Sequence, residues 1–246
     1  MGWFDRFKKT SAASAKSGKS DLTRFDRLLS TKLSQEADRQ DAIHQLSRMG
    51  TAEAVAVLLK RFNWHLDPSI TDQDEKELVL EGIVAAGDAA LEPIREYCRR
   101  AESLTWAIKA LERIVSPDHL EEELLTLLDQ FDTEYVRNPE PKTQLLASLA
   151  AFSSDEVRIA VEPFLEDASE SVRFAAVATV FAMLDPQSVV SLIAVLEHEE
   201  SLRVKNRIAQ GLVELKWPIG ADCKTACERG LPPNYRLEGD IVRIVG

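Results

Sequence analysis

Cys223 and Cys227 stand four residues apart, one helical turn, and form the tightest spacing of thiols in the chain. Two thiolates fall short of the four ligands that a tetrahedral zinc site needs. The nearest histidine in sequence is His198, so the pair reads as small buried residues. The four histidines, His44, His65, His119 and His198, are scattered, and none falls in an HExxH frame. His65 alone draws a binding reading, because Trp64 adjoins it in a long connection. Runs such as Glu121-Glu122-Glu123 and Glu197 to Glu200 offer carboxylates on solvated faces. General acid/base work needs environments that push two pKa values apart. No phosphate-cradling glycine loop, P-loop or nucleophile elbow is present. The expectation is therefore no catalytic residue, no cofactor and no metal ligand, and a role exercised by surface.

The whole chain of 246 residues carries a net charge of −11. Residues 1–20 hold Arg6, Lys8, Lys9, Lys16 and Lys19 against Asp5, a local +4, which leaves −15 on the rest. An acidic body repels nucleic-acid backbones and suits basic protein partners. Three cysteines give no disulfide framework and fit a reducing compartment. No apolar run approaches the roughly 18 residues of a membrane span, and no secretory h-region is seen. The reading is cytoplasmic.

The elements follow from periodicity. Gly and Pro number 10 each, sparse for an all-β fold, and apolar residues recur at helical spacing from residue 21 onward. The clearest pair spans 172–197: Val172, Ala175, Ala176, Val180 and Met183 on one helix, then Val189, Leu192, Ile193 and Leu196 on the next. Val204, Ile208, Ala209, Leu212 and Leu215 repeat the first helix at an offset of 32, and Leu145, Ser148 and Phe152 at 31. Self-similar helical pairs at near-constant spacing mark a repeat array, whose units bury their stripes only by stacking. A basic position repeats too, at Lys142, Arg173 and Lys205. Earlier pairs are expected at Asp38–Met49 with Thr51–Phe62, Asp74–Ala86 with Ala89–Arg100, and Leu104–Val115 with His119–Phe131. In the first of these, Ala42, Ile43, Leu46 and Met49 point inward. Isolated Gly82 and Gly211 permit close helix contact.

The stretch VRFAAVATVFAMLDPQSVVSLIAVL at 172–196 resembles HEAT repeats, of the short bacterial type seen in phycobilisome-lyase-like proteins. The resemblance covers about 36–217 and is strongest over 140–217. It implies an all-α, right-handed α-solenoid of five to six helical pairs over 21–217. In that family a basic residue at the position of Arg173 pairs with a nearby acid to form an inter-repeat ladder, so Lys142, Asp167, Arg173 and Lys205 are the expected rungs. The second helices would line a concave face, with Arg95, Arg99, Glu122, Arg158 and Glu162 as partner contacts. Two relatives with chemistry, bilin lyases and HEAT-like DNA glycosylases, give the alternative readings of a cofactor-handling protein or a base-excision enzyme. The acidic body disfavours the glycosylase.

The two ends depart from the repeat. Tyr235–Leu237 and Ile241–Val245 flank a glycine-containing turn and read as a hairpin, closing 218–246 as a cap. Residues 10–20, TSAASAKSGKS, read as a flexible linker. Ahead of it, MGWFDRFKK places Trp3, Phe4 and Phe7 along one helical face, with Lys8 and Lys9 following. Three readings stay open for 1–9: docking on a groove of this chain or on a partner, peripheral membrane attachment, and plain disorder.

Overall fold

A computed structural model describes residues 21–245. Its described elements are mostly helical, with a two-stranded antiparallel hairpin near the end. The chain divides between Ser116 and Pro117 into two compact units.

The first unit begins with a helix over 21–29 (α1), which buries Phe25 and Leu29. It continues with α2 (Glu36–Met49), α3 (Ala52–Leu59), α4 (Ser69–Ala85), α5 (Leu91–Cys98) and α6 (Thr105–Ile114). α2 packs on α4 and α4 on α6, while α3 packs on α5. Gly50 ends α2 at φ 57, a left-handed conformation that costs glycine no Cβ clash. Thr51 then caps α3, its hydroxyl accepting from the Ala54 N–H. Ala42, Ile43 and Leu46 are fully buried, but Met49 is exposed, because Arg48 and Met49 fall in the last turn beside that glycine. Gly82 permits the α2–α4 approach: a Cβ there would collide with the Ser47 side chain.

The second unit comprises α7 (Pro117–Leu128), α8 (Glu140–Leu149), α9 (Asp155–Val161), α10 (Glu170–Ala182), α11 (Val189–His198), α12 (Leu202–Leu215) and α13 (Lys224–Gly230). β1 (Tyr235–Glu238) and β2 (Ile241–Ile244) follow, with Tyr235 opposite Ile244 and Glu238 opposite Ile241. α8, α10 and α12 pack in series; α9 runs into a 3-10 turn, Glu162–Glu166, that packs on α11, and α11 packs on α13. Val172, Ala176, Val177 and Val180 are fully buried between neighbours. The Thr179 hydroxyl donates to the Leu146 carbonyl at 2.7 Å, tying α10 to α8. Gly211 lets α12 meet the Phe181 ring, which also lies 5.5 Å from the Trp217 ring. β2 covers α12 through buried Val242, and the Ile219 N–H donates to the Asp240 carbonyl.

Candidate functional site

Two sets of side chains have chemistry beyond packing: buried ion pairs that fasten helices, and exposed faces that remain available. The ion pairs fix the geometry of the faces.

Lys142 sits on the first turn of α8 and Asp167 just before α10. Lys142 Nζ lies 2.7 Å from Asp167 Oδ2, with both side chains fully buried, and donates also to the Glu134 carbonyl at 3.0 Å. Asp167 Oδ1 accepts from the Ser169 N–H at 2.7 Å, at the entry to α10. Arg173, one repeat on, donates to the backbone carbonyl of Asp167 and takes Glu199 in a two-pronged pair at 2.7 and 2.8 Å. Glu199 in turn accepts from the Ser201 N–H at the entry to α12. Burial works to raise the Glu199 carboxyl, but the Arg173 and Ser201 hydrogen bonds outweigh it and hold it below its ordinary value. Lys205, the third expected rung, makes no ion pair among the described residues.

A denser network lies in the first unit. Arg39 occupies in α2 the position that Arg173 occupies in α10, and its guanidinium grips Glu75 at 2.9–3.0 Å. Arg61, fully buried, bonds Glu75, reaches Asp72 at 2.7 Å and stacks at 3.8 Å over the Trp64 ring. Lys76 lies 2.8 Å from Asp72 and 3.0 Å from the Nδ1 of His65, whose ring is otherwise exposed. Trp64 Nε1 donates to the Leu29 carbonyl of α1 at 2.8 Å. Burial pushes the Asp72 carboxyl up, yet hydrogen bonds from Lys76, Arg61 and the Leu66 N–H hold it far below the usual carboxylate range. The network closes the 60–72 connection: every buried charge meets an opposite charge, the condition under which such groups are tolerated. His65 sits at its rim.

No protein-family model matches the chain, and no curated protein matches it.

The exposed faces carry the remaining residues. Arg95 pairs with Glu92 at 3.3 Å and Arg99 with Glu96 at 2.5 Å, both within α5. Glu122 is exposed on α7. Arg158 is engaged by three carboxylates, Asp155, Glu162 and Asp185, at 3.2–3.4 Å. Its Nε faces Asp185 off the hydrogen-bonding direction. Glu162 accepts from the Ser188 and Ser191 hydroxyls at 2.7 and 2.8 Å. Arg158 and Glu162 are thus consumed in fastening α9 to the start of α11. Trp3, Phe4, Phe7, Lys8 and Lys9 lie outside the described residues.

Charge on the second unit is segregated by helix. α7, α9 with its 3-10 turn, and α11 carry nine carboxylates against one cation, the already engaged Arg158. α8, α10 and α12 carry five cations against three carboxylates. Ile159 on α9 and Val190 on α11 are each 63% exposed among those acids. A cleft of about 480 Å³ opens beside the Arg173–Glu199 pair, with Glu166, His198 and Glu200 at its mouth.

Burial accounts for the thiols: it pushes Cys98 up to about 12 and Cys227 up to about 11, so both stay protonated near neutrality. No group of three metal-ligating side chains occurs among the described residues. No described helix is long and apolar enough to cross a membrane.

Of the residues that fasten the helices, Glu199 had a readable signal. Asp167-Ala168-Ser169 and Glu199-Glu200-Ser201 share an acid-x-Ser pattern at the repeat offset of 32. Asp72 and Lys76 stand at the i,i+4 spacing of a helical ion pair, but Arg39, Arg61 and Glu75 had no such signal, because their mutual contacts span 14 to 36 residues with no period.

Proposed function

We propose that this chain is a non-enzymatic scaffold that holds a basic protein segment against α7, α9 and α11. The charge segregation of the second unit carries this reading: nine carboxylates, one spoken-for arginine, and two exposed aliphatic side chains on the same helices. Such a face attracts cations at long range and offers apolar contact once they arrive. The resemblance to HEAT repeats supports it in kind, since stacked pairs present their second helices as an extended surface. In this reading the pairs stack as a solenoid, the hairpin caps its end, and the protein works in the cytoplasm.

The test uses a fluorescein-labelled twelve-residue oligolysine against oligoglutamate and a neutral control. Oligolysine alone binds, with an affinity that falls steeply with salt. Replacing exposed Glu122, Glu156 and Glu166 together by lysine weakens it at least tenfold, and a pull-down from lysate with the same variant loses basic proteins selectively. Unchanged oligolysine binding by the charge-reversed protein would refute the scaffold surface as assigned.

A further inference from the structure

A second surface, in the first unit, lies open and is independent of the acidic face just described. A groove of about 640 Å³ runs between α3 and α5. Its α3 wall presents Ala52, Ala56 and Leu59, and its α5 wall Pro93, Tyr97 and Ala101. The α3 wall is one helical stripe, while Ala101 lies just past the end of α5, and small alanines leave room for larger side chains from elsewhere. Carboxylates stand on both walls, Glu53 on α3, with Glu92 and Glu96 on α5 already held by Arg95 and Arg99, and Arg100 lines the same wall. Glu53 has no ion-pair partner among the described residues. At the far end, Lys60 is neutralised by Asp26 of α1. That pair sets the middle of α1 against this end of the groove.

We propose that the groove is the docking site of the chain's own segment 1–9, MGWFDRFKK. The match is in pattern, charge and reach. On a helical wheel Trp3, Phe4 and Phe7 form one apolar face, and Arg6 and Lys8 flank it on its two sides. That places a cation opposite Glu53 of the α3 wall with the rings over the alanines, the helix-in-groove mode of recognition. The wall from Ala52 to Lys60 is about 12 Å long at 1.5 Å per residue, and nine helical residues span about 13 Å. The connection over residues 10–20 reaches at most about 40 Å, ample for a return from the start of α1. An intramolecular segment needs little intrinsic affinity, since a short flexible tether supplies a millimolar effective concentration.

The experiment compares backbone amide spectra of the full-length chain with those of the full-length triple variant Trp3→Ala, Phe4→Ala, Phe7→Ala. Shifts are expected along Ala52, Ala56, Tyr97 and Ala101, with the second unit unchanged and no dependence on tenfold dilution. Synthetic MGWFDRFKK added to the triple variant restores the original shifts. Glu53→Lys with Glu96→Lys, both exposed positions, weakens that peptide at least tenfold, and the peptide with Arg6→Glu and Lys8→Glu recovers the loss. Absence of groove shifts in the triple variant overturns the proposal. So do shifts that vanish on dilution, which would assign the groove to a second copy. Binding of the peptide to vesicles of phosphatidylserine and phosphatidylcholine, with the groove silent, overturns it in favour of a membrane role.

Discussion

Lys142, Arg173 and Lys205 share one repeat position but stand in three environments, and replacing each by methionine separates those environments by energy. Lys142 and Asp167 are both fully buried at 2.7 Å. Removing one partner strands a charge out of water, a loss of about 3–5 kcal/mol. Arg173 is 19% exposed, and the buried Glu199 that it leaves keeps the Ser201 N–H as a donor, so the cost is that of the lost charge-assisted hydrogen bonds, about 1.5–3 kcal/mol. Lys205 has no ion-pair partner among the described residues, and its replacement stays within about 0.5 kcal/mol. Urea unfolding followed by far-ultraviolet circular dichroism measures all three. A fourth variant, Lys142→Met with Asp167→Asn, removes the stranded charge yet keeps an oxygen for the Ser169 N–H, so it recovers part of the loss. A Lys142→Met cost indistinguishable from that of Lys205→Met would refute the argument. So would full additivity of the two changes at 142 and 167.

Gly211→Ala gains about 1 kcal/mol of helix propensity but drives a Cβ into the Phe181 ring, and overpacking costs about 1–3 kcal/mol. Net destabilisation, relieved by adding Phe181→Leu, is expected in thermal unfolding. The Asp72 carboxyl is held below its ordinary 3.8 in the folded chain. Its contribution is therefore complete above that value and drains away as pH falls beneath it. Asp72→Asn costs about 3–5 kcal/mol at pH 7 by stranding Lys76, while Arg61 keeps Glu75, and the gap from the parent protein narrows between pH 4 and pH 2 in urea titrations.

The legibility of the fold followed the regularity of its packing. Where each first helix meets the next one 31 or 32 residues later, the apolar stripe of 172–183 and its copies marked the buried positions, and the hairpin at Tyr235–Ile244 followed from β-prone runs about a glycine. α4 was harder. Its charges Asp72, Asp74 and Glu75 suit the start of a helix, and the helix is expected from Asp74. It begins at Ser69, just after Pro68, and turns Asp72, Glu75 and Lys76 inward. Charges so placed are readable only with Arg39 and Arg61 in view, and those arrive through tertiary contact. The same holds for Arg158 and Glu162, which look like free surface until Asp185, Ser188 and Ser191 fold against them.

Asp167 gives its carboxylate to the cation of the preceding helical pair and its backbone carbonyl to the cation of its own. The Glu199 carboxylate does the same for Arg173, so at these two junctions each pair carries the counter-ion for its predecessor, and they have a polarity like that of tiles with a tongue on one side only. A pair can be duplicated or excised without stranding a charge only if the cut falls at the same phase of the 32-residue cycle. Lys205 is the tongue with no further tile, and there the chain leaves the cycle for the Trp217 ring and the strand that carries Val242.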